Sequence, residues 1–322
     1  MSRNNILLLS AGRRVELYQS IAEAASRLLP TATVYCADSN PELSSACAFA
    51  QHSVALPFVN QDDYCETLLD ICDKLQIGLV IPTIDTELQK LASISEIAAQ
   101  SGTTLVISEA SLIARCRDKR LTAILFRSLA IDTPEIYSVD AIQFPCFSKP
   151  VDGSSGIGAF RIDGVEFLTP ELLQEPNRMF MELIPSHYRE ITIDLYFDTA
   201  SNLKAAIPRE RIEIRAGEVS KGVTRRDWVY DYVLAKMNHV EGARGCLTLQ
   251  LFADDQTKTI KAIEINPRFG GGYPLAHSAG ADFPDFLIRE YLIRENIAFF
   301  DDWQANLLML RYDAKVVVNG YC

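Results

Sequence analysis

The stretch AIEINPRFGGGYPLAHSAG, residues 262–280, holds the pattern on which the fold turns. Glu264 and Asn266 alternate with Ile263 and Ile265, then Pro267 and Arg268 lead into Gly270, Gly271 and Gly272. In a strand such alternation puts the two isoleucines on one face and the carboxylate and amide on the other. A strand that serves only the core needs neither polar group. Just upstream, CLTLQLFAD (246–254) alternates in the same way, and the polar DQTK lies between it and TIKAIEIN (259–266). The pair predicts a hairpin that sets Gln250 opposite Glu264. Gln250, Glu264 and Asn266 then present oxygen atoms on one face, the donor type that a hard cation such as Mg²⁺ prefers and often shares with substrate phosphates.

Outward from this hairpin, the second part of the chain reads as α+β. Short strands are expected at CFSKP (146–150), GAFRI (158–162), RMFMELI (178–184), EITIDLYFD (190–198) and KAAIPRERI (204–212). A polar stretch runs through residue 226, a helix fits 227–240, and the tail ANLLMLRYDAKVVV suggests one or two more strands. A further helix is expected to start near Phe283.

The first part alternates strands with helical patterns. Strands are read at 5–10, 33–41, 52–57, 77–85 and 103–108, with Leu17, Ile21, Ala24 and Leu28 at helical spacing after the first. This alternation predicts a parallel, doubly wound sheet, on which ligands sit at the carboxyl ends of strands. The pattern changes near residue 115.

Composition narrows the function. The 322 residues include 31 Lys and Arg against 42 Asp and Glu, a net charge of −11. That balance disfavours nucleic acid and anionic membrane surfaces, which need a basic face. The eight cysteines form no C-x-x-C pair and only four histidines are present, so zinc-site spacing is absent. Most of the thiols sit in apolar runs as small buried side chains, which suits a reducing compartment. No signal segment and no apolar run of membrane-spanning length is read, so a cytoplasmic protein is expected.

Other motifs carry weaker signals. FSKPVDGSSGIGAF (147–160) closes a strand on Lys149 and continues into a loop with Gly153, Ser154, Ser155, Gly156 and Gly158. Backbone N–H groups of such a loop can approach phosphate oxygens, and a lysine adds a point charge. The loop is not a Walker A motif, and it leads to a strand, unlike a dinucleotide fingerprint. In MELIPSHYREITID (181–194), Glu182 ends one strand and Glu190 opens the next.

The order Lys119, Lys149 with its glycine loop, Glu182, Glu190, then Gln250, Glu264, Asn266 and Arg268 resembles the ATP-grasp superfamily. More narrowly it is similar to the carbamoyl-phosphate-synthetase-like and PylC-like carboxylate–amine ligases. The resemblance implies a Rossmann-like domain (1–114) and a two-lobed ATP-grasp fold with antiparallel sheets, its small lobe at 115–185 and its large lobe at 186–322. It implies ATP and Mg²⁺, expected as two ions, with small carboxylate and amine substrates, and it allows a homodimer. By motif, Lys119 and Lys149 resemble the lysines that touch the ATP phosphates. Gly153, Ser154, Ser155 and Gly156 resemble the covering loop. Glu182, Leu183 and Ile184 resemble the adenine-reading hinge, and Glu190 the ribose-binding carboxylate. Gln250, Glu264 and Asn266 match the metal ligands, and Arg268 the arginine at the transferred phosphoryl group. Gln250 stands where many relatives have an acid, which removes one negative charge from the metal site.

Substrate groups are expected at three places. Arg13 and Arg14 follow the first strand at a helix start, a natural anion site. Asp85 and Glu87 follow the fourth strand, where they either hold an amine or cap a helix. The basic stretch 208–227 offers Arg209, Lys221, Thr224 and Arg225. Two readings of function remain: an ADP-forming ligase that makes an amide or peptide bond, and a catalytically silent ATP-binding regulatory module. A nicotinamide oxidoreductase is disfavoured, because AGRR after the first strand lacks G-x-G-x-x-G.

Overall fold

A computed structural model describes residues 3–153, 156–215 and 217–320. The first sheet comprises β1 (Asn5–Leu8), β2 (Val34–Asp38), β3 (Ser53–Ala55), β4 (Ile77–Ile81) and β5 (Thr104–Leu105). Its order is β3-β2-β1-β4-β5 and every pairing is parallel. Helices α1 (Val15–Leu28), α2 (Ser45–Phe49), α3 (Tyr64–Lys74) and α4 (Leu88–Gln100) connect these strands. The sequence explains the layering. IGLVI of β4 is buried at every position, as a parallel strand covered on both faces must be. Leu17, Ile21 and Ala24 form the buried stripe of α1.

Two helices lead out of this domain, α5 (Ala110–Arg117) and α6 (Lys119–Ser128). Asp118 caps α6 by accepting from the Arg120 N–H at 2.8 Å, which fixes Lys119 in the first turn. A four-stranded antiparallel sheet follows: β6 (Ile136–Tyr137), β7 (Cys146–Pro150), β8 (Phe160–Ile162) and β9 (Arg178–Glu182), in the order β6-β9-β7-β8, with α7 (Pro170–Gln174) connecting β8 to β9.

The third sheet is antiparallel and six-stranded, in the order β14-β13-β10-β11-β12-β15. Its strands are β10 (Arg189–Phe197), β11 (Leu203–Arg215), β12 (Glu218–Thr224), β13 (Gly245–Asp254), β14 (Thr259–Asn266) and β15 (Leu308–Leu310). Helix α8 (Trp228–Lys236) precedes β13; α9 (Tyr273–Ser278) and α10 (Phe283–Leu287) follow β14. The fold is therefore a parallel α/β domain joined to two antiparallel sheets.

Three details differ from the sequence reading. The polar stretch before residue 226 contains a full strand, β12. A helix, α9, begins directly after the glycine run, with Pro274 in its first turn where no N–H is needed. The tail adds one strand of three residues among those described.

The main hydrophobic core runs continuously from the first sheet into the large one: Ile6, Leu8 and Ile21 belong to the same cluster as Ile193, Leu249 and Ile265. The four-stranded sheet has only small clusters of its own, around Cys146, Ile162 and Phe180 and around Val151, Met179 and Met181.

Candidate functional site

The two antiparallel sheets enclose a cleft of about 600 Å³. Its floor is one face of the large sheet. Strand pairing sets Gln250 opposite Glu264 and Thr192 opposite Gln250, and Thr192 also pairs with Arg209. Glu190, Thr192, Arg209, Arg211, Thr248, Gln250, Phe252, Glu264 and Asn266 all line the cleft. The hairpin β13–β14 has the expected register at Gln250, but a bulge follows. Leu251 pairs with Ala262, so Ile263 is an extra residue. This corrects the strict alternation: Ile263 lines the cleft with Glu264, while Ile265 is 1 % exposed in the core.

One end of the cleft is an apolar slot between Phe147, Met181, Leu183, Ile184, Phe252 and Ile263. Glu182 sits beside it, accepting from the Glu135 N–H and from Lys261 Nζ, both at 3.1 Å. Glu190 forms an ion pair with Arg211.

Two lysines face the oxygen-bearing side chains. Lys149, on β7, is 8 % exposed; burial pushes its ammonium down to about 8, an effect that Glu264 opposes and Lys119 deepens. Lys119 donates to the carbonyls of Gly153 (2.5 Å) and Val151 (3.4 Å). Burial lowers its pKa as well, again against the pull of Glu264. Gly153 and Gly156 line the cleft, Gly156 at φ +70° with open space where a Cβ would stand. Gly158 accepts from Arg178 Nη1 at 3.0 Å. Ser154 and Ser155 lie outside the described residues.

Asn266 donates to Glu264 Oε1 at 3.0 Å. Arg268 lines the cleft and donates to Asp85 Oδ2 at 2.5 and 3.1 Å, which ties the first domain to the end of β14. Among the described residues no group of three or more His, Cys, Asp or Glu side chains is placed to hold a metal ion. The oxygen set contains one carboxylate and two amides.

At the opposite end, Arg14 and Arg209 line the cleft beside Gly270, Gly271 and Gly272. Arg209 is 1 % exposed and bonded to Asp194 at 2.5 and 3.1 Å. Burial lowers the pKa of Arg14, while Glu218 opposes the shift and Arg268 and Arg311 add to it.

Several expected substrate residues are elsewhere. Glu87 is fully buried inside the first domain, where it accepts from Ser10 Oγ (2.7 Å), the Thr83 and Ile84 N–H groups (2.8 and 3.1 Å) and the Tyr64 hydroxyl (3.3 Å). It braces the turn after β4 and does not face the cleft. Thr224 is also buried, bonded to Gln304 O and the Leu307 N–H at 2.8 and 2.9 Å. Lys221 is turned outward to Glu213 (2.7 Å), and Arg225 to Glu210 (3.0 Å) and Asn306 (2.9 Å). Arg13 projects into solvent, 65 % exposed, with Glu218 at 3.5 Å. Only Arg209 of the basic stretch's four candidates joins the cleft: Lys221 lies past the register shift at Arg211/Glu213, Thr224 pairs with Arg209 but is tied to Gln304 and Leu307, and Arg225 follows the end of β12. His277 stands 3.7 Å from Asp282, away from the lining.

The residues missed were Phe147, Thr192, Arg211, Glu218, Thr248, Phe252 and Ile263. Thr192, Thr248 and Arg211 lie two positions from Glu190, Gln250 and Arg209 on their strands, so same-face spacing could have found them. Glu218 had no such signal, since its position depends on the hairpin tip.

Comparison with known proteins adds family to geometry. The family model "PylC-like, N-terminal domain" matches residues 6–106, and "ATP-grasp in the biosynthetic pathway with Ter operon" matches residues 174–307. No curated protein matches the sequence. Among solved structures, the biotin carboxylase domain dimer of Hydrogenobacter thermophilus 2-oxoglutarate carboxylase, in complex with MgADP, ADP and bicarbonate, is similar at 15 % identity and TM-score 0.73, over 95 % of this chain and 73 % of that one. N5-carboxyaminoimidazole synthetase from Staphylococcus aureus, complexed with ADP, gives 14 % and 0.70 over 89 % and 77 %. An L-amino acid ligase from Bacillus licheniformis gives 16 % and 0.67 over 91 % and 75 %. At these identities the structures speak to the fold alone; with the two family matches, the chain carries a PylC-like N-terminal domain ahead of a two-sheet cleft of ATP-grasp fold.

Proposed function

We propose that the chain is an ADP-forming ligase that joins a small carboxylate to an amine through an acyl phosphate. The observation that carries this reading is the convergence of Lys119, Lys149, Gln250, Glu264, Asn266 and Arg268 on a single cleft between two antiparallel sheets. In this reading the division 1–114, 115–185 and 186–322 separates the first domain, the small lobe and the large lobe.

The apolar slot suits a purine ring, with the backbone of Leu183 and Ile184 and the carboxylate of Glu182 at its edge. Glu190 suits the ribose hydroxyls. Lys119 and Lys149 suit the phosphates, with Gly153 and Gly156 allowing the loop to approach them. Both lysines are desolvated, Lys149 against Glu264 alone and Lys119 against Glu264, Asp152 and Asp85, and each is pushed toward losing its proton, so a polyphosphate adds the negative charge that favours their ammonium forms.

The donor set fits Mg²⁺ when the cation arrives with phosphate oxygens, because Glu264 with two amide oxygens is too weakly charged to hold a bare divalent cation. Gln250, Glu264 and Asn266 are the residues that would hold it. Bound there, Mg²⁺ supplies charge neutralisation for phosphoryl transfer. A carboxylate oxygen of the acyl substrate attacks the terminal phosphorus and the bond to the ADP oxygen breaks. The amine nitrogen then attacks the acyl carbon, phosphate leaves and a proton is lost. Arg268, held by Asp85, orients the reacting carboxylate and the transferred group. No protein nucleophile is needed.

The test is ADP and phosphate release from Mg-ATP with pools of small carboxylates and amines, products read by mass. A product equal to acid plus amine minus water is expected. Release of AMP and pyrophosphate would overturn the phosphoryl chemistry.

A further inference from the structure

The far end of the cleft carries more positive charge than the ligase reaction uses. Arg268 is neutralised by Asp85 and Arg209 by Asp194, each at 2.5 Å. Three more guanidiniums share one carboxylate, Glu218: Arg311 at 3.0 Å, Arg13 at 3.5 Å and Arg14 at 3.9 Å. Arg13 reaches solvent, and Arg311 also has Glu16 at 3.5 Å and the Gly271 carbonyl at 2.6 Å. Arg14 has only the distant Glu218 within ion-pair range among the described residues, yet its side chain is 19 % exposed and lines the cleft.

Arg209 supplies an independent sign. It lines the same cavity, it is 1 % exposed, and its Nη1 has no hydrogen-bond partner among the described residues. A buried N–H donor on a charged group is costly to leave unpaired. The two guanidiniums flank successive glycines. A Cβ at Gly271 would collide with the Glu218 carboxylate at 2.6 Å and stand 3.0 Å from Arg14 Nη1, and one at Gly272 would collide with Arg209 Nη1. The glycine run therefore gives both arginines and Glu218 room at one wall of the cleft. Among the described residues Glu218 is the one carboxylate lining that wall, and it is already shared, so an ammonium group would be disfavoured there and an anion favoured.

We propose that the acyl substrate is a small dianion whose second anionic group, a carboxylate or a phosphate-type group, is held by Arg14 and the free Nη1 of Arg209. This rests on the ligase reading above and narrows its substrate class. The reacting carboxylate lies beside Arg268, and the second charge lies beyond it, toward Gly271 and Gly272. Glu218 serves as the resident counter-ion whose weak hold on Arg14 the incoming anion replaces.

The experiment measures ADP release with acid pairs of matched length, butyrate against succinate and valerate against glutarate, with 3-phosphonopropionate as the phosphate-type arm. Hydroxylamine serves as the amine: its nitrogen displaces phosphate from the acyl phosphate to give a hydroxamate. The expected result is a preference for dianions of at least tenfold in kcat/KM, and the stronger of the two dianion types identifies the second group. Arg14→Met should cut that preference at least tenfold, Arg14→Lys should restore part of it, and Glu218→Gln should lower KM for the dianion. An absent preference, or one unchanged in a folded Arg14→Met, overturns the dianion and leaves the ligase reading standing. If no acid supports ADP release, the ligase reading fails its own test and calorimetric binding of the same acids decides the anion site. Tighter binding of glutarate or 3-phosphonopropionate than of valerate, lost in Arg14→Met and Arg209→Met, supports it; equal binding overturns it.

Discussion

Lys149 stands in β7 with 8 % of its surface exposed and its pKa pushed down to about 8. Below pH 8 the lysine is charged in both the folded and unfolded chain, and the folded state bears the full desolvation penalty. Between about pH 8 and the ordinary lysine value, the unfolded chain holds a proton that the folded chain has lost, so stability rises with pH. Lys149→Met should therefore stabilise the nucleotide-free protein at pH 7 by up to about 3 kcal/mol and flatten that rise, read from denaturant melts across pH. The same substitution should weaken Mg-ATP binding at least tenfold. In the unaltered protein that affinity should fall as pH passes 8, because phosphate needs the ammonium form. Unchanged affinity in Lys149→Met would remove this lysine from the phosphates. Glu264 is the lone carboxylate of the oxygen set. Glu264→Ala should abolish ADP release and lower the melting temperature of the nucleotide-free protein while leaving it folded, since it removes the carboxylate that opposes the desolvation of Lys149 and Lys119. Retained turnover would exclude it from the metal site.

At the scale of elements, the β13–β14 hairpin shows how far pattern reading reaches. Its strands and the Gln250–Glu264 pairing follow from two-residue alternation around a polar turn, which is local information. The bulge at Ile263 breaks that alternation for one residue, and nothing in the apolar pattern marks it. Strand β12 was hidden because Glu218, Lys221 and Gly222 read as a charged loop; its pairing with β11 on one side and β15 on the other makes it a strand. Thr224 and Arg225 were misplaced because their partners, Gln304, Asn306 and Leu307, are about 80 residues away in sequence. Glu87 looked like an acidic first turn, and only the tertiary approach of Ser10 and Tyr64 encloses it. The glycine run itself stood out in the sequence, but the groups that crowd it, Thr248, Glu218, Arg14 and Arg209, come from other elements. Gly272 has φ −93°, so its need for glycine is steric. Gly272→Ala would also put a methyl 2.7 Å from Val219 Cγ1. It should destabilise by about 1–3 kcal/mol, as overpacking does, and displace Arg209. A melting temperature equal to that of the unaltered protein would show that the wall yields easily.

Across the whole molecule, the distribution of buried surface separates what is rigid from what can move. The first domain and the large sheet share one core, and ion pairs reinforce the junction: Arg27 with Asp282 and Asp285 at 2.8 Å, Arg244 with Glu109 at 2.7 Å, and Arg268 with Asp85 at 2.5 Å. The four-stranded sheet buries only small clusters of its own, and it supplies Phe147, Lys149 and Met181 from the opposite side of the cleft. Segments with few buried apolar contacts open at lower free energy than the core does. Amide exchange in β6–β9 should therefore be faster than in β1, β4, β10 and β13 when the cleft is empty. Mg-nucleotide should slow exchange chiefly in β7 and β9 if, as proposed, the phosphates join Lys149 to the Gln250–Glu264–Asn266 face across the gap. Lys149→Met should remove most of that protection while leaving the shared core as slow as before. Equal protection of all three sheets on nucleotide binding would mean instead that the molecule closes as one body, and the small sheet would lose its role as the moving side of the cleft.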